Sequence, residues 1–188
     1  IYESRSVMRM TVDDFWKTYP FQPYELIQGE VVKPETLGFR YSVVGMKVEA
    51  KLIEFVERYE LGEVFGSNNG YRLSQYTLRS PRVSFISNEK WQHITHPYSY
   101  LPFPPDIAVE VMTLDISDQA IRKICAQYIR AGTQYVWVFQ PDLQQMTNYS
   151  RHENPRVFRR SDYLRLPKWH PEFILPLMDV LPKPRRFN

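Results

Sequence analysis

Cysteine, glycine and long apolar runs are scarce in this chain, and each shortage excludes a class of protein. Cys125 is the single cysteine among 188 residues, so neither an intrachain disulfide nor a cysteine-based zinc site can form. No apolar run approaches the roughly 20 residues of a membrane-spanning helix, and the N-terminus lacks an apolar signal-peptide core. We therefore expect a soluble, cytoplasmic protein with no membrane partner.

Apolar and aromatic residues are plentiful, which favours a packed core over disorder. They make up 43% and 15% of the chain, respectively. The 15 prolines outnumber the 7 glycines and predict stiff connections between elements. The formal net charge of +3 is compatible with phosphate binding but does not require it.

The first 62 residues predict two helices and a hairpin. Thr11 can cap a short helix, and YELIQGEVV predicts a β-hairpin that turns at Gln28 and Gly29. Apolar residues at three- and four-residue spacing predict a long helix over residues 41–60, with Gly62 as its stop.

The remainder alternates predicted strands with one helix. The predicted strands are GEVFGS, YRLS, RVSFIS, PPDIAVEVMT and TQYVWVF. A helix capped by Asp115 or Ser117 should end at Gly132, a long loop should cover Asn88–Pro105, and a further hairpin should cover Leu143–Phe158. This order predicts an α/β fold with a mixed sheet.

The strand PPDIAVEVMT is the segment most informative about function, because it carries acids in an apolar context. Ile107, Val109 and Val111 share one face, whereas Asp106 and Glu110 lie on the other. A buried carboxylate costs several kcal/mol unless it is paired or binds a cation, so Glu110 needs a partner. Asp106 is about 13 Å away along the strand, so it should mark the start of the strand rather than chelate a metal with Glu110.

Lys123, on the following helix, is the cation that we expect near Glu110. We expect it beside the apolar stripe of the helix, from where its amine could reach over the sheet. A carboxylate, a divalent cation and a lysine suffice in principle to hydrolyse a phosphodiester. The structural alternatives are that Lys123 is solvated, that Glu110 pairs with Arg122 or Arg130, and that Tyr128 belongs to the core.

Other polar groups are weaker indications of function. His93 and His96 have the spacing of two zinc ligands, but no further ligands accompany them. The basic stretches at residues 156–160 and 183–186 are typical of solvated surface, although they could add phosphate contacts.

Four segments, taken in order, resemble the Uma-type putative restriction endonuclease family of the PD-(D/E)XK nuclease superfamily. They are YELIQGEVV, RSPRVSFISNEKW, PPDIAVEVMTLD and RKICAQYIRAGTQYVWVFQP. The resemblance implies a restriction-endonuclease-like core, with a central mixed sheet flanked by helices and added hairpins. It also implies one domain over residues 1–188, with its core at about 11–180. The implied activity is magnesium- or manganese-dependent cleavage of DNA, with homodimerisation plausible because cutting both strands usually takes two sites.

The same resemblance assigns roles to individual residues. Glu110 matches the acid of the family's third motif and would bind the metal. Lys123 looks like the catalytic lysine, moved from the strand position of Met112 to the helix. Glu25 matches the acid of the family's Tyr-Glu-Leu segment, and Tyr128 matches its helix end. Glu25, Asp106 and Tyr128 would support the site.

The chain departs from the family at Arg82. The family usually reads Ser-Pro-Asp there, and that aspartate is the expected metal ligand, whereas this chain reads Ser-Pro-Arg. The change alters the local charge by two units, and Arg82 could pair with Glu110 in place of the metal. Acids that could substitute for the aspartate are Asp106, Glu25 and Glu49.

Two functions from different classes follow, and a purely structural protein is a third. The first is a magnesium-dependent DNA endonuclease with a degenerate metal site. The alternative is a catalytically inactive nuclease-fold module that binds nucleic acid or a protein partner.

Overall fold

The computed structural model describes residues 9–34 and 37–183, so the basic stretch at 183–186 lies outside it except for Lys183. The helices are α1 (Val12–Thr18), α2 (Phe39–Arg58), α3 (Asn88–Trp91), α4 (Asp118–Ala131) and α5 (Leu177–Val180), with a 3-10 turn at Pro141–Leu143. The first six strands are β1 (Glu25–Ile27), β2 (Glu30–Val32), β3 (Gly62–Phe65), β4 (Tyr71–Ser74), β5 (Thr77–Arg79) and β6 (Val83–Ser87). The other six are β7 (Ile107–Val111), β8 (Tyr135–Gln140), β9 (Gln145–Ser150), β10 (Arg156–Arg159), β11 (Tyr163–Arg165) and β12 (Ile174–Pro176).

A six-stranded mixed sheet in the order β10-β9-β8-β7-β6-β3 is the centre of the fold. The β7–β8 pair is parallel and connected by α4, because parallel neighbours require a crossover, whereas the other pairs of this sheet are antiparallel. Helix α2 packs on one face of the sheet and α4 on the other. All six residues of β8 are buried, as expected for a strand covered on both sides. The predicted α/β fold with a central mixed sheet flanked by helices is confirmed.

A second sheet, in the order β2-β1-β5-β4, carries the predicted N-terminal hairpin. Gln28 and Gly29 turn the chain with φ of 53° and 88°, which suits a tight two-residue turn. Strand β1 also pairs with β5 through Leu26 and Leu78, and α1 packs on this apolar side. The opposite side of β1 and β5 therefore faces α4.

Local signals explain where α4 begins and ends. The hydroxyl of Ser117 accepts a hydrogen bond from the Ala120 N–H at 3.2 Å, so Ser117 is the cap, and Asp115 accepts from the Thr113 hydroxyl instead. Gly132 stops the helix with φ of 116°, in the left-handed region that favours glycine.

Three segments differ from the prediction. Helix α2 begins at Phe39 and ends at Arg58, so it is shifted by two residues at each end from 41–60. The predicted loop 88–105 contains α3 and a single bridge between Leu101 and Tyr71, because apolar side chains in the loop pack on the sheet. The hairpin within Leu143–Phe158 is confirmed as β9 and β10.

The C-terminal segment was not assigned from sequence, yet it completes the main core. Strands β11 and β12 form a hairpin, and α5 follows. Leu164, Leu175 and Leu181 are all buried in the same cluster as Trp137 of β8. Within the described ranges, no helix has the length and hydropathy needed to cross a membrane.

Candidate functional site

Glu110 lies on β7 and faces α4, where Tyr128 meets it. The Tyr128 hydroxyl donates a hydrogen bond to Glu110 Oε1 at 2.9 Å. Tyr128 itself is fully buried on the inner face of α4 with Ile121 and Cys125, whereas Glu110 is partly buried. The partner that Glu110 needed is thus a tyrosine hydroxyl rather than Arg122 or Arg130.

The carboxyl group of Glu110 titrates near neutrality. Its pKa is raised to about 7: burial is the largest cause and the charge of Glu25 adds to it, whereas the Tyr128 hydrogen bond, Arg79 and Arg82 oppose the rise. Protonated and ionised forms of Glu110 are therefore both populated at neutral pH.

Glu25 and Arg79 form a buried ion pair between β1 and β5. Arg79 Nη1 lies 3.2 Å from Glu25 Oε2, and the Ser80 N–H donates to Glu25 Oε1 at 2.8 Å. Arg79 Nε donates to Gln127 Oε1 of α4 at 2.6 Å. Burial raises the pKa of Glu25 even though Arg79 lowers it. Ser80 therefore holds the carboxylate of the pair and Gln127 holds its guanidinium.

Arg82 lies beside this pair but does not bind Glu110 directly. Its charge lowers the pKa of both Glu110 and Glu25, so it acts on both electrostatically. Its alkyl stem packs against Gly45 of α2, where an added Cβ would lie 2.9 Å from Arg82 Cγ. Within residues 9–34 and 37–183, no ion pair joins Arg82 to an acid. The predicted Arg82–Glu110 pair is therefore wrong, and Arg79 is the arginine that pairs with an acid here.

The structure does not bring Asp106 to Glu110. Asp106 is buried directly before β7, where it pairs with Lys90 at 2.9 Å and accepts from the Ser87 N–H at 2.8 Å. Its carboxylate anchors α3. The Glu49 carboxylate lies against Gly66, directly after β3, and it is not among the charges that shift the pKa of Glu110 or Glu25.

Lys123 points away from Glu110. It is exposed and lies two residues from Ile121 and two from Cys125, both of which are buried. At 3.6 residues per turn, a two-residue step places a side chain about 200° away, on the opposite side of the helix. The expectation that Lys123 lies beside the apolar stripe is therefore wrong.

The donor set does not fit a divalent metal. Hard cations are held by several anionic oxygens, but two acids share this centre with two arginines. In the part of the chain that the structure describes, no group of three or more His, Cys, Asp or Glu side chains could hold a metal ion. His93 and His96 are exposed on a surface segment and belong to no such group.

Sequence reasoning missed Arg79 and Gln127. Arg79 ends the strand Thr77–Arg79, all of whose residues are buried in the structure, and a buried guanidinium needs an acid. Its partner could not be identified from sequence, since Glu25 lies more than 50 residues away in another hairpin. The structure joins Glu25, Arg79, Gln127, Tyr128 and Glu110 in one acid–arginine centre, with Arg82 at its side.

Comparisons with known proteins agree with this fold. The sequence model of Uma2, described as "Putative restriction endonuclease", matches residues 13–178. Among solved structures, the chain is similar to the crystal structure of a putative nuclease belonging to DUF820 from Anabaena variabilis ATCC 29413. The TM-score is 0.76 at 19% identity, and the match covers 92% of this chain and 97% of that one. No curated protein matches the chain in sequence.

Proposed function

Because the chain belongs to the Uma2 family of putative restriction endonucleases, we propose that it is a nuclease-fold protein that binds nucleic acid without metal-dependent cleavage. The observation that carries this proposal is the composition of the acid–arginine centre. Glu25 already pairs with Arg79, and Glu110 is hydrogen-bonded to Tyr128 within electrostatic range of two guanidinium groups.

A divalent cation entering this centre would meet unfavourable charge. It would have to displace Arg79 from Glu25 and lie near Arg82, where the family usually has an aspartate. Glu110 would also have to remain ionised, although burial disfavours its charged form. Each requirement lowers the affinity for magnesium or manganese.

The outer face of α4 supports contact with nucleic acid. Arg122, Lys123 and Arg130 are exposed there, and no acid pairs with them within the described ranges. Lys123 and Arg130 are seven residues apart, so they lie on one side of the helix and about 10.5 Å from each other. Such a row can bind successive phosphates of one strand, which gives Lys123 a binding role in place of the catalytic role expected from the sequence.

Two titrations test the proposal. Calorimetry with manganese should give no binding heat for the wild-type protein or for Glu110→Ala. Fluorescently labelled DNA should bind in the presence of EDTA, with an affinity that falls as salt increases. The double change Lys123→Ser and Arg130→Ser should weaken binding and reduce the slope of log K against log salt by about 1–2.

The matched control replaces two exposed cations elsewhere, Lys33→Ser and Arg151→Ser, and should retain the wild-type slope. Binding of manganese that disappears in Glu110→Ala, together with metal-stimulated cleavage, would contradict the proposal. Absence of any DNA or RNA binding at low salt would contradict it as well.

The second candidate is a magnesium- or manganese-dependent DNA endonuclease with Glu110 as metal ligand. One observation favours it: the charge of Glu25 raises the pKa of Glu110, so the two carboxylates lie close together. Arg82→Asp separates the candidates. If it creates manganese binding that the wild type lacks, the native centre is one residue short of a metal site. Homodimerisation stays a prediction, and sedimentation equilibrium would test it.

A further inference from the structure

We propose that an aromatic cavity beside the acid–arginine centre holds one unstacked base of a single-stranded nucleic acid, an inference that rests on the proposed function. The cavity has a volume of about 400 Å³ and lies between α1, the turn after β3 and the segment 97–101. This is within the usual size range of small-ligand pockets. A single base attached to its strand is flat enough to enter from one side.

Aromatic rings form a fixed wall of this base cavity. The rings of Trp16 and Phe21 meet edge to face with centroids 5.4 Å apart, and Trp16 meets Tyr100 in the same way at 5.7 Å. The Tyr100 hydroxyl donates to Asp13 at 2.7 Å, which holds that ring in place. Because the rings are oriented before any ligand arrives, a base would lose little affinity to ordering them.

Two further features at the mouth of the base cavity point to a ligand. Phe21 has φ of 59°, a strained conformation for a bulky residue, and its side chain is 74% exposed. Tyr98 is 82% exposed. Phe21 and Tyr98 are therefore solvent-exposed aromatic rings at the rim of the cavity, where they can stack on the faces of a base.

The polar groups of the base cavity match a neutral ligand. Gln22, Asn68 and Asn69 line it, and no charged side chain is among its lining residues in the described chain. Asn69 Nδ2 donates to the Gly66 carbonyl at 3.1 Å, which leaves its Oδ1 to accept from a ligand. Bases are neutral and carry donors and acceptors on their edges, so amides can bind them.

Ser80 joins the base cavity to the acid–arginine centre. Ser80 lines the cavity, and its backbone N–H donates a hydrogen bond to Glu25 at 2.8 Å. Leu78 faces the cavity, whereas the next residue, Arg79, faces the centre, because side chains alternate along a strand. The base cavity and the acid–arginine centre are therefore adjacent, on opposite sides of β5.

The test compares two labelled oligonucleotides of equal length by fluorescence anisotropy. One carries thymine bases, and the other is an abasic strand with the same phosphates. The wild type should bind the base-bearing strand about tenfold more tightly, since stacking is the interaction that the abasic strand lacks. Tyr98→Ala and Phe21→Ala should reduce that preference while leaving the abasic strand unaffected. Tyr163→Ala, which removes an exposed ring from β11, should change neither affinity.

A titration with a free nucleoside, which has no phosphate, tests the cavity independently. It should quench the fluorescence of the wild type, and the quenching should be lost in Trp16→Phe. Equal affinity for the two strands together with no nucleoside quenching would overturn the inference while leaving the proposed function intact. Failure to bind either strand would overturn the inference, and the proposed function would fall with it only if duplex DNA and RNA also stay unbound at low salt. A cavity that instead takes an aromatic side chain of a partner protein would leave the nucleoside titration flat.

Discussion

At the scale of single residues, Glu110 shows how strongly its surroundings set the properties of a carboxyl group. Its folded-state pKa of about 7 lies above the ordinary value of 4.5, with burial as the main cause. The folded protein therefore binds this proton more tightly than the unfolded chain does. The resulting stabilisation is fully present below pH 4.5 and is lost as the pH rises to about 7.

Glu110→Gln should remove most of this pH dependence. The amide keeps an oxygen that can accept from Tyr128, but it cannot ionise. We expect the free energy of unfolding to exceed that of the wild type by about 1–3 kcal/mol at pH 8 and to match it closely at pH 4.5. Urea unfolding at both pH values would measure the difference.

Glu57→Gln, an exposed change on α2, is the matched control and should leave the pH dependence unchanged. The raised pKa of Glu25 should leave a smaller slope of the same sign in Glu110→Gln. Equal stabilities of the wild type and Glu110→Gln at pH 8 would mean that Glu110 is ionised in the folded protein at little cost.

Residue patterns predicted part of the acid–arginine centre and failed for identifiable reasons. Glu110 was singled out as a carboxylate in an apolar strand, and the resemblance marks Glu110, Glu25 and Tyr128. The structure brings these three residues together. Lys123 was misplaced, although counting 100° per residue from Ile121 would have put it on the outer face. Arg79 was missed because its partner depends on the register between β1 and β5, which no local pattern encodes.

At the scale of elements, α4 has a central position, since it brings Tyr128 and Gln127 to the acids and presents the basic row outward. Its start at Ser117 and its stop at Gly132 both follow from local chemistry, which is why its extent was predictable. The loop 88–105 was harder, because the α3 turn depends on packing against the sheet rather than on its own sequence.

Removal of the α4 cap should destabilise the protein. Ser117→Ala loses the hydrogen bond to the Ala120 N–H, so the free energy of unfolding should fall by about 1 kcal/mol. Ser117→Asp keeps an acceptor next to the positive helix end and should retain wild-type stability. Thermal unfolding of the three proteins would measure this, and an unchanged melting temperature in Ser117→Ala would mean that water replaces the cap without cost.

At the scale of the whole molecule, the C-terminal segment closes the main core. The prediction of a single domain over 1–188 depends on this, because a separable tail would bury little of its own apolar surface. Phe173, Leu177 and Val180 instead lie in one cluster with residues of α2 and the central sheet.

A chain that ends at residue 161 should therefore lose cooperative folding. It would lack β11, β12 and α5 and would expose the side of the sheet that they cover. We expect it to bind a hydrophobic dye and to show no sharp thermal transition. A chain that ends at residue 183 retains the described core and should unfold like the full-length protein. A sharp transition in the shorter chain would mean that residues 162–183 are an appendage.

The contact between Arg82 and Gly45 makes the two positions interdependent. With Arg82 present, Gly45→Ala places a methyl group against its stem and should destabilise the protein by about 1–3 kcal/mol. With Arg82→Asp the stem is gone, and the same alanine should stabilise the middle of α2 by about 0.5–1 kcal/mol. A double-mutant cycle by urea unfolding would measure this reversal of sign. The coupling runs in one direction: glycine at position 45 is compatible with either residue at position 82, whereas alanine at position 45 is compatible only with a residue that lacks the long arginine stem.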